Sequence, residues 1–400
     1  MLHHWDLTHA VAVTADGEVL IGSRVGESVS WTALPDLEGV QVEKVCAERG
    51  LLAILTSDGR VLVSFDPEGR LQDITANIHE ILGKTTDIKH ISICGHTIAI
   101  ITADAVSLAK VDSKYEVEGR VIGRFGPDIS LYSVDWSGGW GVVRSGNTLH
   151  WFGMSCVFHD FIKASSPQYW QTHALEFHDT ASISEIAGNT FAMFVTLSDG
   201  RVYTRPVPWN ERFMSCLFEL ITLPSKEPIT IIVLASFSAV FITDAGNCYH
   251  SKTGSCRGDA VLTQIQSLCE YVVENIYELK HGCMIQHSSG RLCILHTRSS
   301  QNDGRPKRNP YDQRQYRQYM DTTKEPRHIS FFDDKTVISV TSIFGCIYFI
   351  TCDGVYWSCH FDEATEPVIT RDTYFDANPL AVKRGTQSIR SALSALRISK

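Results

Sequence analysis

The chain has 400 residues, which is more than one simple core supports, so either several domains or one large repeated architecture is expected. Its 44% hydrophobic and 20% charged residues are typical of a folded protein and exclude wholesale disorder. A net charge of -9 argues against binding nucleic acid or an anionic membrane through the whole surface, although local basic patches are present.

The first residues, MLHHWDLTHAVAV, do not resemble a secretory signal. The longest apolar run, residues 229–243, is shorter than the ~20 residues that span a bilayer. Twelve cysteines are scattered along the chain without a tight disulfide framework. We therefore expect no membrane span, and reduced, buried thiols in a cytoplasmic or nuclear protein.

A small residue, an apolar strand, an Asp-Gly-like turn and a second strand recur along the chain. The clearest copies are CAERGLLAILTSDGRVLVSF, residues 46–65, and AGNTFAMFVTLSDGRVYT, residues 187–204. The turn residues are Asp16, Asp58, Asp104, Ser145, Asp199, Asp244, Ser289 and Asp353, separated by 42, 46, 41, 54, 45, 45 and 64 residues. Asp-Gly supplies the positive φ angles of two-residue turns, and the flanking Val, Ile, Leu, Phe and Tyr favour strands. The pattern therefore predicts eight hairpins.

Each interval of 41 to 64 residues accommodates four short strands, which is one blade of a β-propeller. The strand-helix alternation of an α/β fold is missing. We expect an all-β fold, a single seven-bladed β-propeller over residues 1–376, in which residues 10–22 help the last hairpin to close the ring. Eight blades and a WD-type propeller are the alternatives.

Part of the repeat resembles that of the regulator of chromosome condensation family. The resemblance rests on two segments, with weaker copies over roughly residues 8–362. They are Cys94, Gly95, His96, Thr97, Ile98, Ala99 and Ile100, and then Ala187, Gly188, Asn189 and Thr190 leading to Asp199 and Gly200. The second half of the family's repeat is not legible, and Trp151, Phe152 and Gly153 alone approach its start.

The resemblance implies a rigid disc that docks other proteins and, as in the family's founding member, nucleotide exchange on a small GTPase of the Ran type. Fold analogy alone does not transfer function. No exchange residue is assigned, because the segments that would contain such residues are the ones that diverge.

A basic insertion, residues 297–328, occupies the widest interval between turns. Arginine and lysine contact phosphates or acidic surfaces and tyrosine stacks on bases or docks partners, so we predict a partner-binding segment here. The alternative is a solvated loop. The predicted contact residues are Arg305, Lys307, Arg308, Tyr311, Arg314, Tyr316, Arg317 and Tyr319.

The tail, residues 377–400, is basic and contains no acidic residue. Ile389, Leu393 and Leu396 follow helical spacing, which predicts a short amphipathic helix over residues 388–397. Such a helix would dock on the chain's own surface, bind a partner or carry a localisation signal.

No phosphate-binding glycine motif and no Gly-x-Ser-x-Gly elbow occurs, so we assign no catalytic residue and no cofactor. Cys248, His250 and Cys256 come nearest to a metal site but offer three ligands, so no metal is assigned. We expect a non-catalytic scaffold that binds protein partners, with nucleic acid contacted only through the basic insertion or tail. The alternatives are an exchange factor for a Ran-like GTPase and an enzyme that uses a central funnel.

Overall fold

The computed structural model describes most of the chain and resolves it into sheets. The described residues are 2–4, 9–14, 16–25, 28–48, 50–66, 70–94, 96–126, 129–135, 140–145, 148–154, 170–175, 177, 181, 183–188, 192–206, 216–235, 238–243, 245, 247–252, 262–264, 273–279, 282–296, 327–343, 346–360, 368–372 and 386–387.

Each sheet is antiparallel and is built from four strands that follow one another along the chain. Sheet 1 contains β1 (Leu2–His4), β2 (His9–Val13), β3 (Val19–Val25) and β4 (Ser28–Ala33). Sheet 2 contains β5 (Val42–Glu48), β6 (Leu51–Thr56), β7 (Val61–Ser64) and β8 (Gln72–Asp73). Sheet 3 contains β9 (Ile88–Cys94), β10 (Thr97–Thr102), β11 (Ala105–Val111) and β12 (Val117–Arg124). Sheet 4 contains β13 (Ile129–Asp135), β14 (Trp140–Ser145), β15 (Thr148–Met154) and β16 (Trp170–Leu175).

The second half of the chain continues the same arrangement. Sheet 5 contains β17 (Ile183–Gly188), β18 (Ala192–Leu197), β19 (Val202–Pro206) and β20 (Glu219–Leu220). Sheet 6 contains β21 (Ile229–Ala235), β22 (Ser238–Thr243), β23 (Cys248–Lys252) and β24 (Leu262–Gln264). Sheet 7 contains β25 (Val273–Leu279), β26 (Gly282–His287), β27 (Leu292–His296) and β28 (Arg327–His328). Sheet 8 contains β29 (Val337–Ile343), β30 (Cys346–Thr351), β31 (Tyr356–His360) and β32 (Val368–Arg371). A later strand, β33 (Thr386–Gln387), pairs with β25.

These four-stranded antiparallel sheets confirm the predicted fold class, an all-β fold of the β-propeller type. The predicted hairpins are the second and third strands of the sheets. The described strands group into eight antiparallel sheets. Residues 10–22 do not complete the last hairpin's sheet, because β2 and β3 pair with each other and with β1 and β4.

The chain divides into two compact units. The first comprises Met1–Phe177, Ile343–Cys346 and Thr373–Val382, and the second comprises His178–Ser342, Ile347–Asp372 and Lys383–Lys400. In the first unit, β5 packs beside both β1 and β9, so the first strands of successive sheets are neighbours. In the second unit, β21 packs beside β25 in the same way.

Several hairpin turns share one pattern of backbone hydrogen bonds, which the β6–β7 turn illustrates. At the β6–β7 turn, the Gly59 amide donates to the Thr56 carbonyl at 2.9 Å, and the Thr56 amide donates to the Arg60 carbonyl at 3.0 Å. Gly59 has a φ of 83°. This is a three-residue turn with one left-handed residue, so the expected two-residue turn is wrong at this position. Glycine alone supplies the positive φ, and the aspartate before it serves another purpose.

The core of the first unit is densest between sheets 2 and 3. All six residues of β6 and all six of β10 are buried, as predicted for strands that are apolar on both faces. Helix α1 (Thr75–Leu82) closes this core in the link between the two sheets, with Ile78 and Leu82 buried against it. Two short 3-10 turns, Pro35–Leu37 and Ser330–Phe332, also contribute buried side chains.

Candidate functional site

Strand direction sorts the loops of sheets 2 and 3 to two ends. The β6–β7 and β10–β11 turns lie at one end, together with Lys84, which precedes β9, and Arg124, which ends β12. We call this end the turn edge. At the other end, Phe65 follows β7, His96 precedes β10, and Tyr115 precedes β12. We call these three side chains the aromatic patch.

At the turn edge, Asp58 is bound by its own hairpin. The Thr56 hydroxyl donates to one carboxylate oxygen, and the Arg60 Nε atom donates to the other at 2.9 Å. The hydrogen bond from Thr56, supported by the hydrogen bond and charge of Arg60, holds the pKa of Asp58 below its ordinary value. The carboxylate is therefore ionised and both its oxygens have partners within the turn.

Asp104 fills the corresponding place in sheet 3 and binds two cations. Lys84 Nζ lies 2.7 Å from Asp104 Oδ2, and Arg124 Nη1 lies 3.5 Å from the same oxygen. These contacts, led by the hydrogen bond from Lys84 and joined by one from Thr102, lower the pKa of Asp104. Arg124 also donates to the Leu82 carbonyl at 2.7 Å, which ties the end of α1 to sheet 3.

The second unit repeats this use of carboxylates. Arg201 Nε donates to Asp199 Oδ2 at 2.8 Å in a turn with the same Ser-Asp-Gly-Arg sequence as residues 57–60. Glu227 accepts hydrogen bonds from Asn247 Nδ2 at 2.9 and 3.1 Å, and these bonds lower its pKa. The acids of these turns thus stabilise hairpins, which explains why aspartate recurs in the sequence pattern.

Between the two ends, β5 and β9 bring a cysteine and a histidine into the same packed region. Cys46 donates to the Ile91 carbonyl at 3.4 Å, and burial raises the pKa of its thiol to about 11. Burial, with a further contribution from the charge of Lys44, lowers the pKa of His90 to about 4. At neutral pH the thiol is protonated and the imidazole is neutral, which is the opposite of an activated thiolate-imidazolium pair.

The aromatic patch joins three loops. The Phe65 and His96 rings meet edge to face with centroids 5.1 Å apart, and the Phe65 and Tyr115 ring centroids are 5.8 Å apart. Phe65 and Tyr115 are half-buried against the core of sheets 2 and 3, whereas His96 is exposed. The rings of Phe65 and Tyr115 thus have one side supported by the core and another that faces solvent.

Local hydrogen bonds fix each loop that carries a ring. The Ser64 hydroxyl donates to the Asp66 carbonyl at 2.9 Å and accepts from the Asp66 amide at 3.0 Å, on either side of Phe65. The Val111 amide donates to the His96 carbonyl at 2.9 Å. The patch is therefore held in place before any partner arrives.

Tyr115 is placed by a less usual conformation. Its φ is 64°, in the left-handed region that non-glycine residues rarely occupy. The Asp112 side chain holds the turn by accepting hydrogen bonds from the Lys114 and Glu116 amides, both at 2.9 Å. A left-handed tyrosine costs free energy, which the hydrogen bonds of this turn must offset.

The sequence analysis did not single out Phe65 or Tyr115. Two signals point toward the patch in retrospect. His96 belongs to the segment that resembles the regulator of chromosome condensation repeat, and Phe65 ends the strand of the clearest hairpin copy. Neither signal shows that the rings of Phe65, His96 and Tyr115 lie together.

The basic insertion lies outside the described residues apart from Arg327 and His328, which form β28. All the predicted contact residues fall outside the described part, namely Arg305, Lys307, Arg308, Tyr311, Arg314, Tyr316, Arg317 and Tyr319. Their role therefore stays a prediction. The helix predicted over residues 388–397 also lies outside the described residues.

Within the described residues, no group of three or more His, Cys, Asp or Glu side chains could hold a metal ion. Cys248 is a buried thiol, and Cys256 lies outside the described part. The helices that the structure describes are also too short or too polar to cross a membrane.

The chain is similar to several solved structures at low sequence identity. The computationally designed protein Ika8 is 11% identical, covers 90% of this chain and 95% of its own, and has a TM-score of 0.52. BamB from Moraxella catarrhalis is 11% identical, with coverage of 91% and 94% and a TM-score of 0.46. Yeast RCC1 (Prp20), solved with Kap60 bound, is 12% identical, with coverage of 64% and 70% and a TM-score of 0.41. No protein-family model and no curated protein matches the sequence.

Proposed function

We propose that this chain is a non-catalytic protein-interaction scaffold on a β-propeller fold, and that the aromatic patch is a principal docking site. The observation that carries the proposal is the presentation of Phe65, His96 and Tyr115 by three separately hydrogen-bonded loops. A partner surface that covers the patch would desolvate rings that are already half-buried.

The energetics of interfaces support such a role. A few residues usually carry most of the binding free energy, and aromatic side chains are prominent among them. Rings that are already ordered lose little conformational entropy when a partner binds. Among the residues of sheets 2 and 3, Phe65 and Tyr115 combine these properties because the core holds one side of each ring.

The chemistry of the neighbouring groups supports a non-catalytic role. Asp58 and Asp104 are committed to hydrogen bonds and ion pairs within the turn edge. Cys46 and His90 are neutral at physiological pH. A general base or nucleophile needs a group whose pKa is tuned toward the working pH, and these groups are tuned away from it.

The proposal includes a second candidate function, nucleotide exchange on a Ran-like GTPase. Its support is the sequence resemblance to the regulator of chromosome condensation repeat. We place the scaffold in the cytoplasm or nucleus, and we retain the basic insertion, residues 297–328, as a second proposed contact. These finer statements need their own experiments.

The test is site-specific photocrosslinking in cells. A photoreactive amino acid at position 96 is compared with one at position 57 on the turn edge, and crosslinked proteins are quantified by mass spectrometry. We expect a discrete partner to crosslink from position 96. The same partner should be lost when Phe65→Ala and Tyr115→Gly are added. The matched control, Asp58→Asn with Arg60→Gln, should retain it.

Nucleotide-release assays with a panel of Ran-like GTPases then separate the two forms of the proposal. Faster release that depends on Phe65 would assign exchange activity, and unchanged release with a retained crosslink would assign plain scaffolding. Equal crosslinking from positions 96 and 57, unaffected by the patch substitutions, would overturn the role of the patch.

A further inference from the structure

Sheet 7 has a fifth strand that comes from a distant part of the chain. Strand β33 pairs antiparallel with β25, with Gln387 opposite Asn275 and Thr386 opposite Ile276. The other seven sheets have four strands each among the described residues. β33 pairs with the edge of β25 that faces away from β26. In the other sheets, among the described residues, the first strand is an edge strand and this side carries no further strand.

The strand that receives β33 is held firmly from its other side. Gln286 on β26 is buried and accepts hydrogen bonds from Asn275 Nδ2 at 3.0 Å and from the Tyr277 hydroxyl at 3.1 Å. Gln286 Nε2 also donates to the Val337 carbonyl at 2.8 Å, which links β25 and β26 to β29. β25 is therefore a pre-organised edge, and an added strand does not have to order it.

The described pairing of the added strand is short. Among the described residues, β33 pairs with two of the seven residues of β25. An extended segment from another protein that pairs with more of β25 would compete effectively, because sheet edges are general templates for strand addition.

The sequences of the two strands show opposite charge. Glu274 and Glu278 flank the paired residues of β25, while Lys383, Arg384 and Arg390 flank those of β33. A basic segment would therefore be favoured at this edge over an acidic one.

We infer that the edge of β25 that β33 covers is a strand-addition site for an extended basic segment of a partner protein, and that residues 386–387 are its resident occupant. Binding of the partner displaces β33 and releases the basic tail. This inference rests on the proposed function, since it names a second docking surface and the chemistry of its ligand.

The experiment uses the full chain with Thr386→Pro and Gln387→Pro, which remove the amide donors of β33. Leu393→Pro, which places a proline in the same tail outside β33, is the matched control. The probe is a fluorescent peptide with the sequence of residues 381–392, and binding is followed by anisotropy. We expect the double proline variant to bind the probe at least tenfold more tightly than the wild type or the control, because the resident strand no longer competes.

Two further measurements locate and characterise the site. Of the Asn275 and Ile276 amides, the one that faces β33 should exchange faster in the double proline variant and slow again when the probe binds. A probe with glutamate in place of Lys383, Arg384 and Arg390 should bind at least tenfold more weakly. Equal probe affinity in all chains, with unchanged exchange at β25, would overturn the inference.

The patch variant Phe65→Ala separates this failure from that of the proposed function. It should bind the probe normally, because β25 and the aromatic patch use different strands. If the probe does not bind while the crosslink from position 96 is retained, the β25 site is disproved and the proposed role of the aromatic patch stands.

Discussion

The two ends of sheets 2 and 3 are made from the same strands but differ in chemistry. At the turn edge, the charged groups Asp58, Arg60 and Asp104 find partners within their own hairpins or the adjacent link. At the other end, Phe65 and Tyr115 pack on the core with one side and remain partly exposed on the other. In these two sheets the recurring turn aspartates stabilise the fold locally, and we propose that the aromatic side chains at the other end bind a partner.

The contrast has an energetic basis. Exposed ion pairs contribute little to binding, because a partner must remove water from groups that are already satisfied. Half-buried aromatic rings lose unfavourable contact with water when they are covered. Changes of pH or of the backbone at the turn edge should therefore alter the free energy of unfolding. Substitutions in the aromatic patch should instead alter the binding of a partner.

The largest effect is expected for His90, which lies on β9 between the two ends. Its folded pKa of about 4 is below the value of about 6.5 in an unfolded chain, so the unfolded chain takes up the proton first as the pH falls. Stability should be complete above pH 6.5 and fall by about 2 kcal/mol toward pH 4, after allowance for solvent screening.

Urea unfolding between pH 7 and 4 measures this loss. His90→Gln should remove most of the slope, and His96→Gln, in the exposed patch, should keep it. An unchanged slope in His90→Gln would show that another group governs acid sensitivity in this range.

The next effect concerns the glycine of the β6–β7 turn. Gly59 has a φ of 83° and nothing lies within 4 Å of an added Cβ atom, so a substitution there is opposed by backbone conformation alone. Gly59→Val should cost about 1 to 2 kcal/mol, and Gly59→Asn should cost less because asparagine tolerates this region. Both are measured by urea unfolding.

Gly200 provides a matched comparison in the second unit. Its φ is 85°, but an added Cβ atom would lie 3.2 Å from the Pro228 Cβ atom, so Gly200→Val should be costlier than Gly59→Val. Equal costs at the two positions would contradict the steric argument.

These turns also show how far the sequence predicted the structure. The hairpins were predictable because glycine, aspartate and apolar strands are local signals. The first strand of sheet 1, Leu2–His4, was not predictable, since it has no recognisable strand pattern. The aromatic patch was also missed, because strand register and sheet packing bring Phe65, His96 and Tyr115 together across fifty residues of sequence.

A smaller effect is expected for Asp104. Its lowered pKa means that its ion pairs stabilise the fold above the unfolded value near 3.9, and that this contribution is lost as the pH falls through the folded value. Asp104→Asn should therefore cost about 0.5 to 1 kcal/mol at pH 7, and the cost should shrink as the pH falls below the unfolded value. Asp87→Asn removes a more exposed partner, that of Lys89, and should change stability less. A cost for Asp104→Asn that does not shrink on acidification would contradict the ionic origin.

The smallest effect on stability, and the most informative one for function, is expected for Tyr115→Gly. Glycine adopts the φ of 64° without strain, which offsets the loss of the ring's packing against Phe65 and the added flexibility of the unfolded chain. We expect the free energy of unfolding to change by about 0.5 kcal/mol, while the crosslink from position 96 is lost. A tyrosine that served only the core would give the reverse, a cost of about 2 kcal/mol or more with the crosslink retained. Unfolding and crosslinking measured on the same variant thus decide whether the left-handed tyrosine is retained for the fold or for a partner.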